Sequence, residues 1–73
     1  MKLNLGRPEH YYRIKSMRLR EQIKQHLEAL GMTSGTPVEV MNNKSGGTLI
    51  IKVRGTRFAV GKNISENIEV EEI

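Results

Sequence analysis

The sequence predicts a small, mainly β domain with one substantial α-helix, of the size of an SH3-like barrel with an inserted helix. Three observations lead to that class. Short runs at 12–14, 38–40 and 49–53 place apolar residues at every second position, the period of half-buried strands. Between the first two runs the period changes: Leu19, Ile23, Leu27 and Leu30 step by four, four and three, and so lie on one face of a helix. Turn-forming clusters separate the later runs at short intervals, which suits antiparallel strands that close on themselves to remove exposed edges. A small open α+β sheet satisfies the same pattern. At 73 residues the chain supports one modest core, because domains near this size bury only about 60% of the surface that their unfolded chain exposes.

Residues 1–9 are weakly patterned, and Gly6-Arg7-Pro8 interrupts any early element. Tyr12 and Ile14 then share one face of a first strand, with Tyr11, Arg13 and Lys15 on the other. The spacing predicts a helix over 18–30, filled with the good helix formers Leu, Glu, Gln, Lys and Arg. Ser16 is its expected N-cap, and Gly31 its left-handed stop. Met32 to Pro37 reads as a connecting turn, followed by a strand carrying Val38 and Val40. Asn42-Asn43-Lys44-Ser45-Gly46-Gly47 is a dense turn signal, after which Leu49, Ile51 and Val53 share a strand face. Gly55-Thr56 suits a two-residue hairpin with glycine at its first central position. That register sets Arg54 opposite Arg57, Val53 opposite Phe58 and Ile51 opposite Val60. Gly61-Lys62-Asn63 ends the strand, 64–67 reads as a short helical turn, and Ile68, Val70 and Ile73 close the chain. No repeat or linker divides the sequence, so 1–73 reads as one domain.

Composition narrows the function classes. There is no cysteine, which removes disulfides and thiolate metal sites. The N-terminus lacks the long apolar stretch of a signal peptide, and no apolar run approaches the roughly 20 residues of a membrane span. A soluble cytoplasmic protein without membrane insertion is expected. The net charge of +4 points to anionic partners, yet the charges are segregated. Arg13, Lys15, Arg18, Arg20 and Lys24 crowd one segment, and Glu66, Glu69, Glu71 and Glu72 load the C-terminus. Two solvated surfaces of opposite sign are the simpler account of that distribution.

Catalytic constellations do not emerge. Ser16, Ser34, Ser45 and Ser65 stand in turn or cap contexts, and neither His10 nor His26 is paired by pattern with a nucleophile. The Asn43-Lys44-Ser45-Gly46-Gly47 loop offers amides and a cation, but it lacks the P-loop spacing and leads into a strand. Metal candidates reduce to His10, His26, Glu9, Glu66, Glu69 and Glu71, with no pair at the spacing of a recognised site. No cofactor is therefore expected, any transition-metal association would be weak, and no GTPase, nuclease or hydrolase activity is expected.

The stretch from Leu27 to Val40, with Leu27-x-x-Leu30-Gly31-Met32, Gly35 and the strand after Pro37, resembles the pattern of the FeoA family. Upstream, Tyr12-Arg13-Ile14-Lys15 resembles the family's first strand. Downstream, 47–53, 56–61 and 64–70 resemble its hairpin and closing strand. The resemblance implies an SH3-like β-barrel with an inserted helix. It also implies a non-enzymatic accessory role in ferrous iron uptake beside FeoB, a membrane transporter with a GTP-binding domain. Similar domains end iron-responsive repressors, but this sequence shows no helix-turn-helix pattern, so the free-standing form is expected.

Partner binding is expected at the helix C-terminal corner, Leu30, Gly31, Met32 and Gly35, with Arg54 and Arg57 as electrostatic guides. Met32 suits adaptable contacts, although Leu30 and Met32 equally suit the core. The alternative function is a small basic nucleic-acid-binding barrel, motivated by the cluster from Arg13 to Lys24. Salt separates the two, because phosphate contacts weaken steeply as salt rises. Exposed aromatic pairs for stacking bases are missing, which makes nucleic acid the lesser expectation.

Overall fold

The computed structural model describes residues 1–44 and 47–73. Its elements follow in the order of a 3-10 turn (Leu3–Leu5), β1 (Tyr11–Met17), α1 (Glu21–Ala29), β2 (Pro37–Asn43), β3 (Leu49–Val53), β4 (Thr56–Val60), α2 (Lys62–Ser65) and β5 (Ile68–Glu72). The strands form one antiparallel sheet ordered β4-β3-β2-β1-β5. This is the expected small SH3-like fold with its helix inserted between the first two strands. The hydrogen-bonded order ends at β4 and β5, so the sheet is not closed into a continuous barrel.

Strand alternation fills the core as the period requires. Tyr12 and Ile14 of β1, Val38 and Val40 of β2, and Leu49, Ile51 and Val53 of β3 are all buried. Val60, Ile68 and Val70 complete it from β4 and β5. Ile73 lies outside the core, 59% exposed, beyond the end of β5. Leu27 is the buried residue of α1, while Leu19, Ile23 and Leu30 pack against the core from partly buried positions. Leu3, in the weakly patterned N-terminal segment, is fully enclosed. That segment is tied down on both sides. The Arg7 N–H donates to the Tyr12 hydroxyl at 2.9 Å, and Asn43 Nδ2 donates to the carbonyls of Asn4 and Gly6.

Several boundaries differ from expectation for physical reasons. β1 runs on to Met17 across a bulge between Ile14 and Ser16, because Ser16 pairs with Glu69 and Met17 with Ile68. Ser16 is therefore a strand residue and not the helix cap. Arg20 stands at the N-cap position without a side-chain cap bond, and Leu19 precedes the helix. Asn42 and Asn43 belong to β2, where Asn43 pairs with Leu49 and its side chain secures the N-terminal segment. The anion-loop candidate at Asn43 to Gly47 depends on Ser45 and Gly46, which lie outside the described residues.

The hairpin register is corrected. β3 and β4 pair as Val53↔Thr56, Lys52↔Arg57, Ile51↔Phe58 and Leu49↔Val60. The turn residues are Arg54 and Gly55, with φ of +50° and +85°. Positive φ at both central positions is the type I′ geometry, whose twist matches that of the flanking strands. Arg54 therefore turns the chain and does not face Arg57, whose cross-strand neighbour is Lys52.

Candidate docking surface

The corner expected to bind a partner begins where α1 stops. Gly31 has φ of +102°, its N–H donates to the Glu28 carbonyl at 3.0 Å, and the Met32 N–H donates to the Leu27 carbonyl at 3.0 Å. These two bonds make a Schellman cap, and Leu27 and Met32 supply the apolar pairing that accompanies it. Met32 is thus fully enclosed core and not an exposed contact. The chain then turns through Thr33 to Thr36, whose hydroxyls meet at 2.8 Å. Gly35 is exposed with φ of +88°, and its N–H donates to the Ile14 carbonyl at 2.7 Å.

The hairpin tip meets this corner. A Cβ at Gly31 would lie 2.8 Å from Arg54 Cδ and 3.2 Å from Arg54 Nε, so the Arg54 side chain lies across Gly31. Gly31 is needed for its backbone angle, and a Cβ there would also make the exposed Arg54 side chain shift. Half-buried Leu30, Gly31 and exposed Arg54 therefore form one continuous surface. Arg57 is exposed on β4, set against half-buried Lys52, which in turn pairs with Glu39 of β2. Lys52, Arg54 and Arg57 gather three cations near the tip. Like charges directly opposite each other in a sheet disfavour the pairing. The Lys52–Arg57 pair follows from a turn at Arg54-Gly55, one residue before the Gly55-Thr56 turn that the sequence predicts.

The basic segment does not behave as one stripe. Arg13 Nη1 lies 3.7 Å from Glu71 Oε1. Lys15 and Arg18 line an open cleft of about 500 Å³ with Lys2, Ser16, Asn67, Glu66 and Glu69. Glu69 accepts from the N-terminal ammonium at 2.7 Å, and that bond holds its carboxyl below the usual range. Partial burial opposes the effect, while the charges of the ammonium, Lys15 and Lys2 add to it. Cations and carboxylates are interleaved here, unlike the one-signed groove that tracks a nucleic-acid backbone.

The histidines are not brought into a metal site. His10 Nδ1 lies 3.9 Å from Glu72 Oε1, and His26 is exposed on α1. Among the described residues no group of three or more His, Asp or Glu side chains could hold a metal ion. No helix among them is long and apolar enough to cross a membrane.

The strand order, the helix between β1 and β2, and the short α2 before the closing strand define a small SH3-like domain. Its class is sharpened by comparison with known proteins. The FeoA domain family matches residues 1–72, and the chain belongs to that family. The crystal structure of an Iron Uptake Regulatory Protein (FeoA) is similar with a TM-score of 0.90 and 26% identity, covering 100% of this chain and 97% of that one. A solution structure of the FeoA protein from Chlorobium tepidum gives 0.92 at 20% identity, covering 100% and 70%. A manganese-dependent transcriptional repressor shares the fold at 0.88 and 12% identity, with this chain spanning 41% of its length. No curated protein sequence matches significantly. The FeoA domain assigns the chain to ferrous iron transport, within a family of accessory domains and not of enzymes.

Proposed function

We propose that this chain regulates ferrous iron uptake from the cytoplasm by docking on a FeoB-type membrane transporter, without catalysing a reaction itself. The observation that carries the reading is the FeoA-domain match over 1–72. The similarity to an Iron Uptake Regulatory Protein over nearly its whole length supports it. Residues 1–73 act as one binding unit. Docking uses the corner of Leu30, Gly31 and Gly35, with Arg54 and Arg57 drawing in an acidic patch of the transporter. Met32 serves from beneath, by holding the corner to the core. The surface requires no cofactor, since its chemistry is that of cations and a half-buried apolar edge.

The test is recovery of the transporter from detergent-solubilised native membranes on the immobilised full chain. The transporter is expected in the bound fraction at moderate salt. Recovery of nucleic acid in its place, lost as salt rises, would overturn the reading in favour of a basic nucleic-acid-binding domain.

A further inference from the structure

The two outer strands of the sheet are finished differently. β5 is covered on its outer side, where the Val70 N–H donates to the Met1 carbonyl at 2.7 Å and Lys2 bridges to Glu69. β4 has β3 as its one neighbour in the sheet. With Arg54-Gly55 as a two-residue turn, Val53↔Thr56 is a hydrogen-bonded pair, and bonded and non-bonded pairs alternate from there. Thr56, Phe58 and Val60 thus turn their backbone groups to β3, and Arg57 and Ala59 turn theirs to the open edge. Among the described residues, neither Arg57 nor Ala59 makes a backbone bond to any further element. β4 contains no proline and its pairing with β3 shows no bulge, so of the features that blunt an edge it has its short length and the charge of Arg57, which leaves the edge open to a strand of opposite charge.

The side chains select what such an edge accepts. Arg57 and Ala59 are exposed on the outer face, with Lys52 beside Arg57 and Arg54 at the tip. Phe58, on the other face, is only partly buried. A strand laid along β4 presents its residues alternately to these faces. One set meets cations, and the other meets the open side of an aromatic ring. The chain already contains a strand of that complementary kind. In β5, Val70 sits opposite Ile14 while Glu71 sits opposite Arg13, whose Nη1 lies 3.7 Å from Glu71 Oε1. Two β4 edges paired in the register centred on Arg57 would bring it against its own copy, which disfavours that self-pairing.

We propose that the open edge of β4 is a strand-addition site for an extended segment of another protein in which acidic and apolar residues alternate. The main-chain groups of Arg57 and Ala59 supply the pairing, and Lys52, Arg54 and Arg57 supply the selection for acidic side chains. The inference goes beyond the proposed function, because it holds whichever protein carries the segment.

The experiment titrates isotope-labelled full chain with a short capped peptide alternating glutamate and valine, and separately with its lysine counterpart, following backbone amides by NMR. The glutamate peptide is expected to shift the amides of Arg57, Ala59 and their neighbours. The lysine peptide is expected to bind at least about tenfold more weakly. Ala59→Pro removes an outward N–H while leaving the β3 ladder intact, and is expected to keep the native spectrum and lose the peptide. If that variant does not fold, N-methylation of alternate peptide amides makes the same test on the unaltered protein: one phase of methylation abolishes binding and the other spares it. Shifts confined to the cleft of Lys15 and Arg18 would overturn the proposal. So would equal binding of both peptides, binding indifferent to Ala59→Pro and to either methylation phase, or no binding at millimolar peptide. None of these outcomes bears on recovery of the transporter from membranes, so the two readings fail separately.

Discussion

The end of α1 and the tip of the β3–β4 hairpin both reverse the chain through left-handed residues, but they do so under opposite local rules. At Gly31 a glycine carries the positive φ, both orphan carbonyls of the Schellman motif are bonded, and Leu27 and Met32 close the apolar pair beneath. Every local preference there agrees with the fold. At the tip, Arg54 takes φ of +50°, which costs an L-residue roughly 1–2 kcal/mol relative to glycine. Lys52 and Arg57 also sit directly opposite each other. A position that departs from local preference without a local gain is where a binding role is expected. The helix end stabilises the corner, and the hairpin tip carries the charge that the proposed docking would use, joined to it by Arg54 lying over Gly31.

Substitutions sharpen this contrast. The largest effect is expected at Leu27, which is 5% exposed and anchors the helix end. Leu27→Ala should cost about 2–5 kcal/mol in chemical denaturation, and a loss under about half a kcal/mol would show that the helix end does not carry the corner. Gly31→Val should cost about 2 kcal/mol, since a β-branched residue tolerates positive φ poorly and its Cβ would press on Arg54. Adding Arg54→Ala to that variant should recover only the steric part. Full recovery would mean that the backbone angle is not the cause. At the tip the sign reverses: Arg54→Asn, the residue favoured in a type I′ turn before glycine, should stabilise by about 0.5–1 kcal/mol. A destabilised variant would remove the argument that the tip gives up stability.

The smallest effect concerns the cleft beside β5. Glu69 has its pKa lowered in the fold chiefly by the hydrogen bond from the N-terminal ammonium. Its contribution is therefore present above the unfolded carboxylate pKa and is lost as pH falls through the lowered folded value. Glu69→Gln should lower the thermal midpoint slightly near neutral pH, with the difference vanishing in acid. A difference that grows in acid would contradict this sign. High salt should shrink it, because the pair is solvent-accessible.

The comparison also shows what was legible in the sequence. The stop at Gly31 was legible because a helix-period stripe ending at Leu30 before a glycine is a local signal. The buried faces of β1, β2 and β3 were legible from alternation alone. The hairpin register was not: the expected and observed pairings differ by two residues, which returns every side chain to the same face, so alternation cannot tell them apart. Turn geometry decided it, through an arginine in a conformation that glycine and asparagine usually fill. The helix start was hidden for a different reason. Leu19 continues the helical spacing, but β5 claims Ser16 and Met17 by a long-range pairing that no local window contains. Leu3 had no signal at all, since its burial depends on Asn43 and Tyr12 fastening the N-terminal segment. Within the candidate surface, Gly31 and the cations were visible as residues. The contact of Arg54 with Gly31 and the enclosure of Met32 arise from tertiary packing.

The most direct test of the account measures binding of the full chain to the cytoplasmic domain of the FeoB-type transporter, comparing the unaltered protein with Arg54→Glu and Arg57→Glu. Glutamate at position 54 leaves the backbone cost of the turn much as arginine does, and both positions are exposed, so the variants should keep the native spectrum. The account predicts weaker binding for each, with the association rate falling most at low salt. Folded variants that bind with unchanged affinity and unchanged association rate would contradict it.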